Sequence, residues 1–205
     1  MWSENMDKPI KKIIAALATI IILIMMYLGA YLPLRKGQLY AQSVLKLNSR
    51  KIKSVTDFIA AFHPALSFYS PIGQEEVVSY YTGEVLSGML KKQKSPRVIE
   101  ILIKDAENWM EPIIKVGKGF SYSQNLYNFG KVYKIAGEKL NNDTYLEKGI
   151  ALFNEGLKNS PNRYIFLDGL FDIYQIRGDK VKMKEIGETI LKYWPDKQEI
   201  RKSIL

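Results

Sequence analysis

From Ile13 to Leu34 the chain reads IIAALATIIILIMMYLGAYLPL, 22 residues without a charged side chain. At about 1.5 Å of rise per residue, a helix of that length covers about 33 Å, enough to cross a hydrocarbon layer about 30 Å thick. Lys8, Lys11 and Lys12 precede the run, and Arg35 and Lys36 follow it. Tyr27 and Tyr31 lie toward the second boundary, where amphipathic rings favour the headgroup level. Pro33 comes near the end, where a missing helix hydrogen bond costs little. A cleaved signal peptide has a shorter apolar region, about 7–15 residues, and ends in a small-x-small site. Here the best such site, after Ala30, has Leu28 at the −3 position. The pattern predicts an uncleaved transmembrane helix over 13–34, with 1–12 as an N-terminal tail.

After Lys36 the apolar positions recur at helical spacing in segments separated by short polar breaks. The spacing predicts helices over 38–48, 53–69, 74–92, 96–115, 122–140, 143–159, 163–177 and 180–194. The breaks carry turn and helix-stop residues, among them Ser70-Pro71-Ile72-Gly73, Gly117-Lys118-Gly119, Asn141-Asn142-Asp143 and Arg177-Gly178-Asp179. No long alternation of apolar and polar residues argues for a sheet, so the expected fold class is all-α. The body, 35–205, reads as four helix pairs.

Composition narrows the chemistry. The chain has no Cys and one His among 205 residues. Disulfide frameworks, thiolate metal sites, Cys nucleophiles and multi-His sites are therefore excluded within one chain. The net charge of +9 is unevenly placed. Residues 1–60 hold nine Lys/Arg against three Asp/Glu, whereas 61–205 hold 21 against 18. The basic excess thus borders the apolar run, where each cation near an anionic lipid surface contributes about 1 kcal/mol. A nucleic-acid-binding body would carry the excess itself, so no nucleic-acid partner is expected. The cations flanking the span are near parity close in, and further out they favour a cytoplasmic body. A short tail ahead of one span is commonly retained inside, which places the body extracytoplasmically.

Pro161 and Pro195 are 34 residues apart. With Tyr164 as the first position of a 34-residue unit, Leu167, Leu170, Tyr174, Gly178, Met183, Ile190 and Pro195 fall at positions 4, 7, 11, 15, 20, 27 and 32. The preceding unit places Leu126, Phe129, Gly130 and Tyr133 at 4, 7, 8 and 11, and Gly149, Phe153, Gly156 and Pro161 at 20, 24, 27 and 32, after an insertion of seven residues around Lys139–Tyr145. These residues resemble the tetratricopeptide repeat, with clear units at about 123–162 and 163–196. Earlier units are degenerate: Phe62, Ala65, Leu66 and Pro71 look like a second helix, and Pro112 is expected to interrupt 96–115. The resemblance implies an α-α superhelix whose first-helix positions 5, 9 and 12 line a concave face. Those positions hold Tyr127, Lys131 and Lys134 in one unit and Asp168, Asp172 and Gln175 in the next, a basic and an acidic patch side by side. They are the candidate contacts for a protein partner.

A narrower likeness covers the order of features from the span onward. The apolar helix runs into Leu34-Arg35-Lys36, followed by Phe62, Ala65 and Leu66, then Tyr69-Ser70-Pro71-Ile72-Gly73-Gln74-Glu75-Glu76 and the repeats. This is similar to the C-terminal tail of bacterial O-antigen ligase or polymerase-like membrane proteins. In that family the glycan chemistry belongs to a multi-span portion that this single span lacks. The likeness therefore implies an accessory tail, binding a glycan or a polysaccharide-assembly enzyme, and transfers no catalytic residue.

Other constellations are weak. Val116-Gly117-Lys118-Gly119-Phe120-Ser121 lacks the spacing of a phosphate loop and follows a helix, so it reads as a turn. His63, between Phe62 and Pro64, has no second ligand and reads as structural. Glu75 and Glu76 sit at a helix start, where carboxylates complement the helix dipole. Asn142-Asp143-Thr144 matches a glycosylation pattern in isolation only. With no nucleophile–base pair, no metal set and no cofactor motif, the expected function is a membrane-anchored, non-catalytic scaffold.

Overall fold

The computed structural model describes residues 8–49 and 52–205. Residues 1–7 of the expected tail, and Arg50 and Lys51 of the basic flank, lie outside the described residues. Among the described residues the chain is all-helical, without a strand. The segments are α1 (Lys8–Met26), α2 (Leu32–Asn48), α3 (Val55–Ser67), α4 (Gln74–Tyr80), α5 (Ser87–Lys92), α6 (Pro96–Val116), α7 (Tyr122–Leu140), α8 (Asp143–Asn159), α9 (Tyr164–Arg177), α10 (Lys180–Tyr193) and α11 (Gln198–Ile204).

Among the described residues one helix is long and apolar enough to span a membrane, and it does not stop at Leu34. It runs unbroken over Pro9–Asn48, because a π turn, Tyr27–Tyr31, joins α1 to α2. The expected break before residue 38 is absent. Pro33 explains the device: its ring collides with the carbonyl four residues back, and it has no N–H to donate. The wider π turn, in which the Leu32 N–H donates to the Tyr27 carbonyl, ends just before it. The same device recurs at Tyr81–Leu86, a π turn joining α4 to α5 inside the expected 74–92 helix. Pro112 likewise lies inside α6 and does not interrupt it. The side chains of α1 from Pro9 to Met26 are exposed on all sides.

From Leu32 onward the helix acquires a covered face. Leu32, Lys36 and Ser43 are buried and Tyr40 half-buried, at the spacing of one helical stripe, and this stripe packs on α3. Two polar contacts show α2 and α3 to be antiparallel. Lys36 Nζ donates to the carbonyls of Ala65 (2.9 Å) and Phe68 (2.6 Å), and Ser43 Oγ donates to that of Ala61 (2.6 Å). Lys36, only 1% exposed, is thus not the free membrane-flanking cation its position suggests. It satisfies carbonyls left open at the α3 C-terminus. At the other end, Ser54 and Asp57 form a reciprocal capping box.

Helix pairs then follow one another along the chain. α7 packs on α6 and α8, α9 on α7 and α8, α10 on α9, and α11 on α10. Apolar clusters keep the same order, passing from Phe58, Phe62 and Tyr81 through Phe129 and Tyr133, then Phe153 and Phe166, to Phe171, Ile190 and Ile200. At Gly130, Gly156 and Gly169 a Cβ would lie only 2.3–2.5 Å from the ring of Phe153 or Phe166, so only glycine admits these rings. The residues around Lys139–Tyr145 fall at the end of α7 and the start of α8, and α7 closes at Asn141 in the left-handed region (φ 47°). Asn142 caps α8 through Oδ1, which accepts the Thr144 N–H at 2.9 Å. Ile190 packs with Leu167, Phe171 and Ile200 of α11, a helix the sequence pattern did not predict.

Three tyrosines donate to carboxylates: Tyr81 to Asp105 (2.5 Å), Tyr133 to Glu107 (2.7 Å) and Tyr164 to Asp168 (2.9 Å). Burial first, and the adjacent carboxylate next, raise all three hydroxyls, Tyr164 to about 12. An unfolded tyrosine ionises near pH 10, so above that pH the unfolded chain holds fewer protons than the folded one. Their stabilising contribution is complete below pH 10 and is lost as pH climbs through the raised values. Through these tyrosines urea midpoints are expected to fall steeply above pH 10, whereas between pH 8 and 9 Lys36, lowered by burial to about 8, gives a modest rise because the unfolded lysine still holds its proton there. Tyr81→Phe should flatten that fall, and an unchanged slope would contradict the assignment.

Candidate partner-binding face

The six candidate contacts lie on α7 and α9, and the structure gives them unequal roles. Tyr127 is half-buried, its ring 6.1 Å from Phe153 and 6.3 Å from Phe166, so it belongs largely to the packing between the helices. Burial raises its hydroxyl, with Asp168, Asp172 and Glu84 adding to the effect. Lys131 is turned toward the preceding pair and donates to the Gly83 carbonyl at 2.8 Å. That carbonyl is available to a side chain because the π turn around it disturbs the regular i to i+4 ladder. Burial lowers the Lys131 ammonium; Glu84 opposes this, and Lys91 and Lys134 add to it.

Lys134 and Asp172 form an ion pair across α7 and α9. The basic and acidic patches expected side by side are therefore partly joined, each neutralising a charge of the other. Asp168 is half-buried and accepts from Tyr164. Burial raises its carboxyl; the Tyr164 hydrogen bond opposes the shift, Asp172 adds to it, and Lys134 and Lys197 oppose it. Gln175 is exposed at the far end of the row.

Beyond α9 the face continues onto residues that the sequence pattern left out. A cleft of about 460 Å³ opens between α9 and α11, lined by Tyr164, Asp168, Asp172, Gln175, Asp196, Lys197 and Glu199 among others. Lys197 Nζ lies 4.7 Å from the centre of the Tyr164 ring, and Trp194 meets the same ring edge-on at 5.3 Å. The rim is thus held in place by aromatic and hydrogen-bond contacts, and four carboxylates and one lysine line the opening. The signal for α11 was available in the spacing: α9 begins three residues after Pro161 and α11 three residues after Pro195.

On the other side of α7 a second cleft, about 350 Å³, separates it from α4 and the second π turn. Its floor is closed by Asn128, whose Nδ2 donates to the carbonyl (2.9 Å) and hydroxyl (2.8 Å) of Ser79. Glu75 and Glu76 stand in the first turn of α4 as expected, but their carboxylates also serve α7. Glu75 Oε2 accepts the Ser121 N–H at 3.2 Å, and Glu76 Oε1 accepts from Ser121 Oγ at 3.4 Å. The Gly117–Gly119 segment is a turn, with Gly117 closing α6 at φ 71°. His63 lies exposed on α3, its ring 6.0 Å from that of Trp109. Among the described residues no group of three or more His, Cys, Asp or Glu side chains is placed to hold a metal ion.

No protein-family model matches the chain, and neither the curated proteins nor the solved structures provide a match.

Proposed function

We propose that this chain is a membrane-anchored, tetratricopeptide-like scaffold that holds a protein partner on the face formed by α7, α9 and α11, with no catalysis of its own. One observation carries the reading: successive helix pairs present a polar, cleft-bearing face on their first helices, while the apolar α1 stands bare. An isolated helix of exposed Ile, Leu and Met is unfavourable in water, and burying each such side chain is worth about 1.5–3 kcal/mol. A bilayer would supply that burial along α1, which supports reading the chain as anchored by a single span. Support for the repeat arrangement comes from the order of helix contacts, from aromatic rings set into glycines at the unit positions, and from α11 recurring one period after α9. Apart from the Lys134–Asp172 pair, the open cleft carries more carboxylate than cation, which favours a partner segment bearing Lys or Arg. The alternative, an accessory role in surface-polysaccharide assembly, rests on the likeness of Tyr69–Glu76 and of the feature order alone.

A photo-crosslinking amino acid at Gln175 or Glu199 in the full chain, in its own membranes, is expected to trap one discrete partner. The same group at Val181, exposed on α10, should not. Asp168→Lys should abolish the adduct without altering helicity or membrane retention. Equal adducts from all three positions, or none, would overturn the assignment of this face.

A further inference from the structure

The helix that leaves the apolar run does not release the body on a tether. α2 continues α1 without a break, and its covered stripe reaches back to Leu32, inside the apolar run. Side chains on a helix lean toward its N-terminus, so Lys36 extends toward the bilayer side of its own position. Its ammonium there holds the Phe68 carbonyl at 2.6 Å. Residue 36 lies about 3 Å along the axis from Leu34. The turn after α3, Phe68–Gly73, is therefore fixed at the level where the apolar run ends.

What that turn presents is apolar. Tyr69 is 73% and Ile72 58% exposed, on a tight turn whose own polar group is satisfied internally, Ser70 Oγ donating to the Ile72 carbonyl at 2.5 Å. A second turn is tied beside it. Glu75, two residues beyond Gly73, accepts the Ser121 N–H, which fixes the Gly117–Ser121 turn against the start of α4. This turn carries Phe120, 99% exposed, with Val116 exposed just before it and Lys115 and Lys118 exposed alongside. A fully exposed Phe and a largely exposed Ile, on turns tied to the same end of α4, would be costly in water. Aromatic and aliphatic side chains mixed with lysines are the composition that settles at the boundary of headgroups and acyl chains.

We infer that these two turns form a second membrane contact, with Tyr69, Ile72 and Phe120 inserted into the interfacial layer beside the span and Lys115 and Lys118 facing lipid phosphates. The inference rests on the proposed anchoring by α1. It implies that the body stands on the bilayer in one orientation, and that the face of α7, α9 and α11 is presented at a set angle to the membrane.

The absence of Cys allows a direct test in the full chain. Ile22→Cys, Ile72→Cys, Phe120→Cys and Val181→Cys are each labelled with an environment-sensitive fluorophore and reconstituted into phosphatidylcholine–phosphatidylglycerol vesicles. Nitroxide lipids then report depth. The labels at 72 and 120 are expected within about 5–10 Å of the headgroup boundary. A headgroup nitroxide should quench them severalfold more than the label at 181, while a mid-bilayer nitroxide quenches the label at 22. If 22 is quenched but 72 and 120 behave like 181, the second contact is overturned and the anchor stands. If 72 and 120 are shielded from aqueous iodide yet untouched by nitroxide lipids, protein covers the turns and the inference also fails. If 22 itself escapes the mid-bilayer quencher, the anchor is wrong.

Discussion

Phe153→Ala is expected to lower the stability of the body by about 3–5 kcal/mol, as for other fully buried Phe truncations. Phe153 is 0% exposed and sits where α7, α8 and α9 meet. Its ring lies against Gly130 of α7 and Gly169 of α9, so both neighbouring helices have been brought close to fit it. Collapse into the vacated volume would require these helices to move together, which their other contacts resist. Urea unfolding of the detergent-solubilised chain should show a lower midpoint with little change in slope. A double-mutant cycle sharpens the test. Gly130→Ala sets a Cβ about 2.4 Å from the ring and should be destabilising alone. In the Phe153→Ala background that penalty should largely vanish, giving a coupling of about 0.5–3 kcal/mol. Additive effects would show that the ring does not set the spacing of the helices.

Lys36→Met is expected to cost about 2–3 kcal/mol, the range for losing charged hydrogen bonds to groups that then remain buried and unpaired. The methionine keeps most of the stem volume, so the loss isolates the ammonium from the packing. Removing it leaves the Ala65 and Phe68 carbonyls without their donor at the end of α3. Lys46→Met, on an exposed position of the same helix, should change stability by no more than about 0.5 kcal/mol. The measurement is thermal or urea unfolding in detergent. Equal effects at the two positions would mean that Lys36 is solvated and does not hold α3.

Much of the helical pattern could be read directly from the chain. Segments 96–115, 122–140, 143–159 and 180–194 agree with α6, α7, α8 and α10 to within a residue or so, because strong apolar periodicity is bounded there by Gly, Asn or Pro. The failures share a cause. Pro33 and Pro112 stop a helix on local grounds, yet both lie inside one, Pro33 directly after a π turn. α11 is short and has little periodicity of its own, and its helix depends on Ile200 packing against Phe171 and Ile190.

The candidate face was legible as a row of positions and illegible as chemistry. Residue spacing places Lys131, Lys134, Asp168, Asp172 and Gln175 along first helices, since side-chain direction on a helix is a local property. Whether each charge is available to a partner is a pairwise property across helices. Lys131 serves the Gly83 carbonyl and Lys134 serves Asp172, and neither connection has any trace in the local pattern.

The amino-acid order alone therefore dictated an apolar helix followed by all-α pairs with a 34-residue recurrence, through periodicities that operate within a few turns. Tertiary contact decided which charges are free, that Lys36 belongs to α3, and that the turn after α3 is held beside the end of the apolar run with the Gly117–Ser121 turn tied to α4 next to it. Those outcomes depend on residues 29 to 48 positions apart meeting in space, and hydrogen bonds and burial act on spatial neighbours regardless of their separation along the chain.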